Sequence, residues 1–137
     1  MSRPSGSSPE GPLRIGELAR RTGRSVHAIR WYETQGLVPG VARDGAGRRF
    51  YHERHVDWLG LMDRLRATGM SIAQMRRYTA LVVQGRTTLP ARRELLLVHR
   101  TQVEQRIVEW QQALKLLDAK LDFYGDWIAS GRRPPRR

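Results

Sequence analysis

The chain of 137 residues contains no cysteine. It therefore offers no disulfide, no thiolate metal site and no iron–sulfur ligand. Acidic residues are few beside basic ones: 13 Asp and Glu stand against 25 Lys and Arg, a formal net charge of +12. Lysine occurs only at Lys115 and Lys120. The positive charge is thus mostly guanidinium, whose planar fork suits phosphate and guanine edges; a GC-rich genome enriches arginine too. No apolar run approaches the roughly 18 residues of a membrane span, and none opens the chain as a secretory signal would. The expectation is a cytoplasmic protein with no membrane partner. The charge calls for a polyanion, of which nucleic acid is the commonest. No nucleophile elbow, phosphate loop or carboxylate–histidine constellation is present, so no enzyme and no cofactor is expected.

Residues 13–37 carry the most information. They form two short amphipathic segments broken at Gly23, with Ser25 placed to cap the second. That is the plan of a helix-turn-helix, whose second helix enters a DNA major groove. Ile15, Leu18, Ala19 and Thr22 share one face of the first helix. Val26, Ile29 and Glu33 share a face of the second, with Tyr32 at its edge. The opposite stripe is His27, Arg30, Trp31 and Thr34, which suits sugar–phosphate or base edges. Packing of Trp31 into a neighbouring interface is the alternative. Residues 41–51 then read as a hairpin wing, with Gly45 and Gly47 supplying positive φ at the turn. Arg43, Arg48 and Arg49 flank it. Strand alternation is expected to send Phe50 inward and Arg49 and Tyr51 outward. Phosphate contacts from such a wing orient the recognition helix without reading sequence.

A third helix is expected over residues 53–68, with an apolar stripe of Val56, Leu59, Met62 and Leu65. Ser71 and Gln74 form a capping box for a fourth, which buries Ile72, Met75 and Val82 and ends at Gly85. Its Arg76 and Arg77 are candidates for phosphate on the flank of the site, or for a solubilising face. The last helix starts near Pro90, with Thr88 as candidate cap, and continues to about Ala129. Leu96, Val103, Ile107, Trp110, Leu114, Leu117, Leu121, Tyr124 and Ile128 mark its apolar side. From Val103 the steps alternate four and three, the period of a heptad seam. Forty residues rise about 60 Å, a stripe that one small domain does not cover. A homodimer through a coiled coil is the expectation; intrachain packing is the alternative. The chain is therefore mainly α: a disordered arm over 1–12, a winged helix-turn-helix DNA-binding domain over 13–85, a coiled-coil dimerisation helix over 88–130, and a basic disordered tail over 131–137.

The run RIGELARRTGRSVHAIRWYETQGLV, the GRRFY wing, the SIAQMRR helix and the long final helix together resemble the MerR family of bacterial transcription regulators. The resemblance is specific over about residues 13–85; the last helix agrees in kind only. It implies a winged helix-turn-helix, a homodimer joined by an antiparallel coiled coil, and a pseudopalindromic operator. It also implies a promoter with an over-long spacer, which the dimer bends and untwists for RNA polymerase when an effector binds. Smooth elastic deformation of such a site costs about 1–6 kcal/mol. Arg30 and Tyr32 match the family's helix motif; Arg49 and Tyr51 match its wing motif. Trp31 stands where the family usually has Tyr or Phe, and Arg48 where it has Tyr. By this carry-over His27 and Arg30 lie nearest the bases, and Arg43, Arg49 and Tyr51 on phosphates.

The resemblance also narrows the signal. The family's metal and redox sensors use cysteines, and this chain has none. Its drug sensors add a ligand domain after the coil, where here about a dozen residues follow Tyr124. His52 and His55 make a poor metal site with two of the usual four ligands, so no metal is expected. Phe123 and Trp127 are candidates for a pocket that takes a small ligand not reactive toward thiols. The expected function is a homodimeric, sequence-specific regulator of transcription that distorts promoter DNA. The alternatives are an effector-independent DNA-bending or architectural protein, or a simple repressor.

Overall fold

The computed structural model describes residues 11–136. The expected disorder of the N-terminal arm falls mostly on residues 1–10, which lie outside the described residues, as does Arg137. Five helices and a small hairpin follow one another: α1 (Ile15–Thr22), α2 (Val26–Thr34), β1 (Ala42–Arg43), β2 (Arg49–Phe50), α3 (Glu53–Ala67), α4 (Ile72–Val83), a 3-10 turn (Arg86–Thr88) and α5 (Leu89–Ser130). Contacts divide the chain into two units with the boundary between Leu96 and Leu97, inside α5.

The N-terminal unit is built on short-range stop and start signals. Gly23 ends α1 at φ 69°, a left-handed conformation that costs a residue without Cβ nothing. Two residues on, the Ser25 hydroxyl accepts the Ala28 amide at 3.0 Å and starts α2. Ser71 and Gln74 form the expected reciprocal capping box on α4. The buried core joins Leu18 and Ala19 of α1, Ile29 and Tyr32 of α2, Leu37, Tyr51, Leu59, Met62 and Leu65 of α3, Met70, and Met75 and Tyr78 of α4. On α4 the buried residues are Met75, Tyr78 and Thr79. Ile72 and Val82, expected to be buried, are only half so. The Tyr78 ring lies parallel to Trp58 of α3, centroids 5.7 Å apart. Leu95 and Leu96, in the opening turns of α5, pack against the same core.

Thr88 does not cap α5 as expected. Its hydroxyl donates back to the carbonyls of Leu81 (2.5 Å) and Gly85 (2.8 Å) and accepts Arg92 Nε at 3.0 Å. A 3-10 turn feeds directly into the helix, so the capping position is already helical.

The C-terminal unit is the rest of α5 and the residues after it. The helix runs through Gly125 without a break. Its heptad seam is bare: Trp110 is 73% exposed, Leu117 58% and Ile128 84%, with Ile107, Leu114, Leu121 and Tyr124 also exposed; Leu96 and Val103 are half-buried. The Arg133 guanidinium lies over the rings of Trp127 (5.4 Å) and Phe123 (5.9 Å), an attraction between a cation and the negative face of a ring.

Candidate nucleic-acid interface

The wing is a three-residue hairpin rather than a two-glycine turn. Gly47 N–H donates to Asp44 O at 2.9 Å, and Asp44 N–H to Arg48 O at 2.9 Å. Gly47 alone takes the left-handed conformation, φ 82°; Gly45, expected to share that role, does not. A type I turn followed by one left-handed residue needs a single glycine. The Asp44 carboxylate organises the loop. One oxygen accepts the amides of Ala46 (3.0 Å) and Arg48 (2.9 Å), and the other accepts Arg14 Nη2 at 2.5 Å. The Arg14 guanidinium, and after it the Arg48 amide, hold this carboxyl down at about 2. Arg43 closes the hairpin by donating to Gly47 O at 2.7 Å, and Arg48 Nε lies 3.4 Å from Asp44.

The strand register reverses the expected orientation of Tyr51. Ala42 pairs with Phe50 and Arg43 with Arg49. Leu13 then adds a bridge to Tyr51, with reciprocal amide–carbonyl bonds of 2.7 Å. That bridge brings the edge of the helix-turn-helix against β2. Arg49 and Tyr51, two apart, therefore face α2 together, and Phe50 points to the other side, half-exposed. Tyr51 is fully buried and its hydroxyl donates to Glu33. Burial, reinforced by this bond, drives the phenol pKa upward. Tyr51 is a core residue that carries the wing, not an outward phosphate ligand.

Tyr32 is likewise inside. Its hydroxyl donates to Asp63 of α3, which also pairs with Arg24 from the turn. Asp63 thus ties the turn and the recognition helix to α3, a role with no signal in helical spacing. Trp31 is half-buried, edge-on to Tyr32 at 5.2 Å and covered by the Arg66 guanidinium at 4.3 Å. Arg76 is drawn away from the expected phosphate role: Nε donates to Gln35 O at 2.8 Å and Nη2 to Gln35 Oε1 at 2.5 Å, which clamps α4 to the end of α2. Arg77 stays exposed on α4. His52 and His55 do not form a metal pair. His55 Nδ1 accepts the His52 amide at 2.9 Å and Nε2 lies 2.8 Å from Pro39 O. Both contacts fit one neutral tautomer, and burial pushes the His55 pKa down. Among the described residues no three His, Cys, Asp or Glu side chains gather as a metal site.

His27, Arg30 and Thr34 remain on the exposed face of α2, although the Thr34 hydroxyl is spent on Arg30 O at 2.9 Å. Beside them Arg14, Arg30, Arg43, Arg48 and Arg49 line one open cleft with Gly47, between the start of α1, the recognition helix and the wing. Five arginines lining one cleft favour an anion such as phosphate, although Asp44 and Glu33 neutralise part of their charge. Arg14 was not among the expected site residues. It precedes the first helix in sequence, and the Leu13–Tyr51 bridge, with its own bonds to Asp44 and to Arg49 O, carries it to the wing.

The chain matches two family models: MerR HTH family regulatory protein over residues 13–81, and MerR, DNA binding, over residues 56–120. It is 34% identical over 108 residues to an uncharacterised HTH-type transcriptional regulator of Haemophilus influenzae, covering 79% of this chain and 80% of that one. It is 33% identical over 97 residues to the HTH-type transcriptional regulator AdhR of Bacillus subtilis, covering 71% and 66%. Among solved structures it resembles HiNmlR, described as a MerR family regulator lacking the sensor domain and bound to promoter DNA (TM-score 0.78, 31% identity, 88% of this chain and 96% of that one). A MerR family regulator from Listeria monocytogenes superposes with a TM-score of 0.80 at 35% identity, over 87% and 90%. Among the described residues no helix is long and apolar enough to cross a membrane. The helix-turn-helix, its wing and these relatives agree: the chain belongs to the MerR family of helix-turn-helix DNA-binding transcription regulators.

Proposed function

We propose that this regulator binds an inverted repeat in promoter DNA as a homodimer, sets α2 in the major groove with His27 and Arg30 at base edges, and holds the site distorted for RNA polymerase. The arginine-lined cleft between α2 and the wing carries this reading. Arg43, Arg48 and Arg49 from the wing, with Arg14, take phosphates; Arg77 reaches backbone on the flank. Such contacts spread over two elements offset the energy of deformed DNA. The promoter-bound state of HiNmlR supports the choice of ligand. The bare seam of α5 supports the second copy, since an apolar stripe of this length is a helix-pairing surface. Phe123 and Trp127, half-buried and edge-on at 5.9 Å with Arg133 above them, are the place for a small effector that has an aromatic or anionic group.

Footprinting on the DNA upstream of the protein's own gene, at near-physiological salt, tests the reading. A bounded, protected inverted repeat inside an over-long promoter spacer is expected. Salt-sensitive coverage without a boundary would refute sequence-specific regulation and leave an architectural role.

A further inference from the structure

The most basic part of the surface holds an acid that charge attraction alone does not explain. Glu33 sits on α2 one turn after Arg30, and its side chain is only 11% exposed. It lines a second open cleft, beside the first, together with Arg30, Arg43 and Arg49. A carboxylate there repels phosphate, and its burial carries a desolvation cost. Both penalties are offset by what it binds. One oxygen accepts the Tyr51 hydroxyl. The other lies 3.3 Å from Arg49 Nε. Arg49 and Tyr51 alternate on one face of the wing strand, so a single side chain on the recognition helix grips that strand at two points.

The two bonds have different consequences. Tyr51 anchors the strand, because its ring is fully buried in the core. Arg49 is half-exposed, at 49% of its side chain. The contact at Nε restrains the guanidinium and leaves its terminal nitrogens for a phosphate. On the loop side, Asp44 holds Arg14 and the loop amides, but neither of those ties reaches α2. Glu33 supplies two from the recognition helix itself.

We propose that Glu33 is a positioning residue for DNA recognition: it locks the wing strand to the recognition helix and restrains Arg49, so that helix and wing meet DNA as one preset body. This rests on the reading of α2 and the wing as the DNA-contacting pair. Preorganisation of this kind raises affinity for the correct site by removing an ordering cost at binding.

The test compares wild type with Glu33→Gln and Glu33→Asp by hydroxyl-radical footprinting and by affinity for specific and random DNA across a salt series. Glu33→Gln removes the charge; Glu33→Asp keeps it but shortens the reach. Both are expected to lose wing protection, to keep major-groove protection, and to bind the specific site about tenfold more weakly, the usual scale of one charge-assisted contact. The salt slope falls by about 0.9 per phosphate lost, or about 1.8 for a dimer. If Glu33 were only a repelling charge, Glu33→Asp would match wild type, and Glu33→Gln would bind specific and random DNA more tightly by one factor with the wing footprint intact. That pattern overturns the proposal. Thermal melts check folding. If neither variant folds, Arg49→Lys keeps the positive charge but removes the Nε donor that Glu33 holds, and intact wing protection with wild-type affinity there also overturns it. A wild-type protein without a bounded footprint instead defeats the underlying DNA-contact reading, so the two failures are distinguishable.

Discussion

The proposed dimer rests on the α5 seam, and Leu117→Ala measures it. Full burial of a leucine side chain contributes roughly 1.5–3 kcal/mol. Leu117 is 58% exposed, so pairing recovers about 1–2 kcal/mol from each copy. A symmetric dimer loses it twice, roughly 2–4 kcal/mol. At about 1.4 kcal/mol per tenfold, the dissociation constant rises about 30- to 700-fold. Sedimentation equilibrium over a dilution series reads this directly. Leu116→Ala is the control. Leu116 is more exposed than Leu117, at 75%, but it lies outside the four-three spacing of the seam. Its loss leaves the dissociation constant within about threefold, since surface substitutions away from packed contacts are usually nearly neutral. An unchanged constant for Leu117→Ala, or equal weakening by Leu116→Ala, would refute the heptad argument: exposure rather than register would then govern association.

Arg30→Ala is expected to weaken binding to the specific site by about 1–3 kcal/mol and to relax sequence preference at one position, whereas Arg43→Ala weakens specific and random DNA alike and lowers the salt slope by about 1 per site; binding isotherms on a set of single-base operator variants separate the two. Asp44 has its carboxyl held down to about 2 from an ordinary 3.8. Its contribution is therefore complete above pH 4 and disappears as pH falls through about 2, on linkage grounds. The protection of the Ala46 and Arg48 amides, taken as the intrinsic exchange rate over the observed rate at each pH, holds at neutral pH and falls as the carboxylate is protonated, and Asp44→Ala lowers it at every pH. Leu18 is fully buried, and Leu18→Ala costs about 2–5 kcal/mol of unfolding free energy by transfer and cavity terms; a denaturant titration with unchanged m-value checks it.

Local chemistry decided much of this protein in advance. Gly23, Ser25, Ser71 and Gln74 act on backbone groups a few residues away, so the helix starts and stops were legible from spacing. The same holds for the heptad period of α5 and for the exposed side of α2 at His27 and Arg30. Side-chain partners at long sequence separation were not legible. Alternation along β2 was readable, but which face turns inward depends on the Leu13–Tyr51 bridge, 38 residues apart; that contact buried Tyr51 and freed Phe50, and with the bonds of Arg14 to Asp44 and to Arg49 O it brought Arg14 to the wing. Tyr32 and Arg24 meet Asp63, and Arg76 meets Gln35, across similar separations. The turn and cap signals of residues 13–37, with the basic charge and the family resemblance, thus pointed to a helical DNA reader. Only the tertiary structure decided which of its polar groups hold the fold and which stay exposed, because a hydroxyl or guanidinium has the same sequence signature whether its partner is a carboxylate inside or solvent outside.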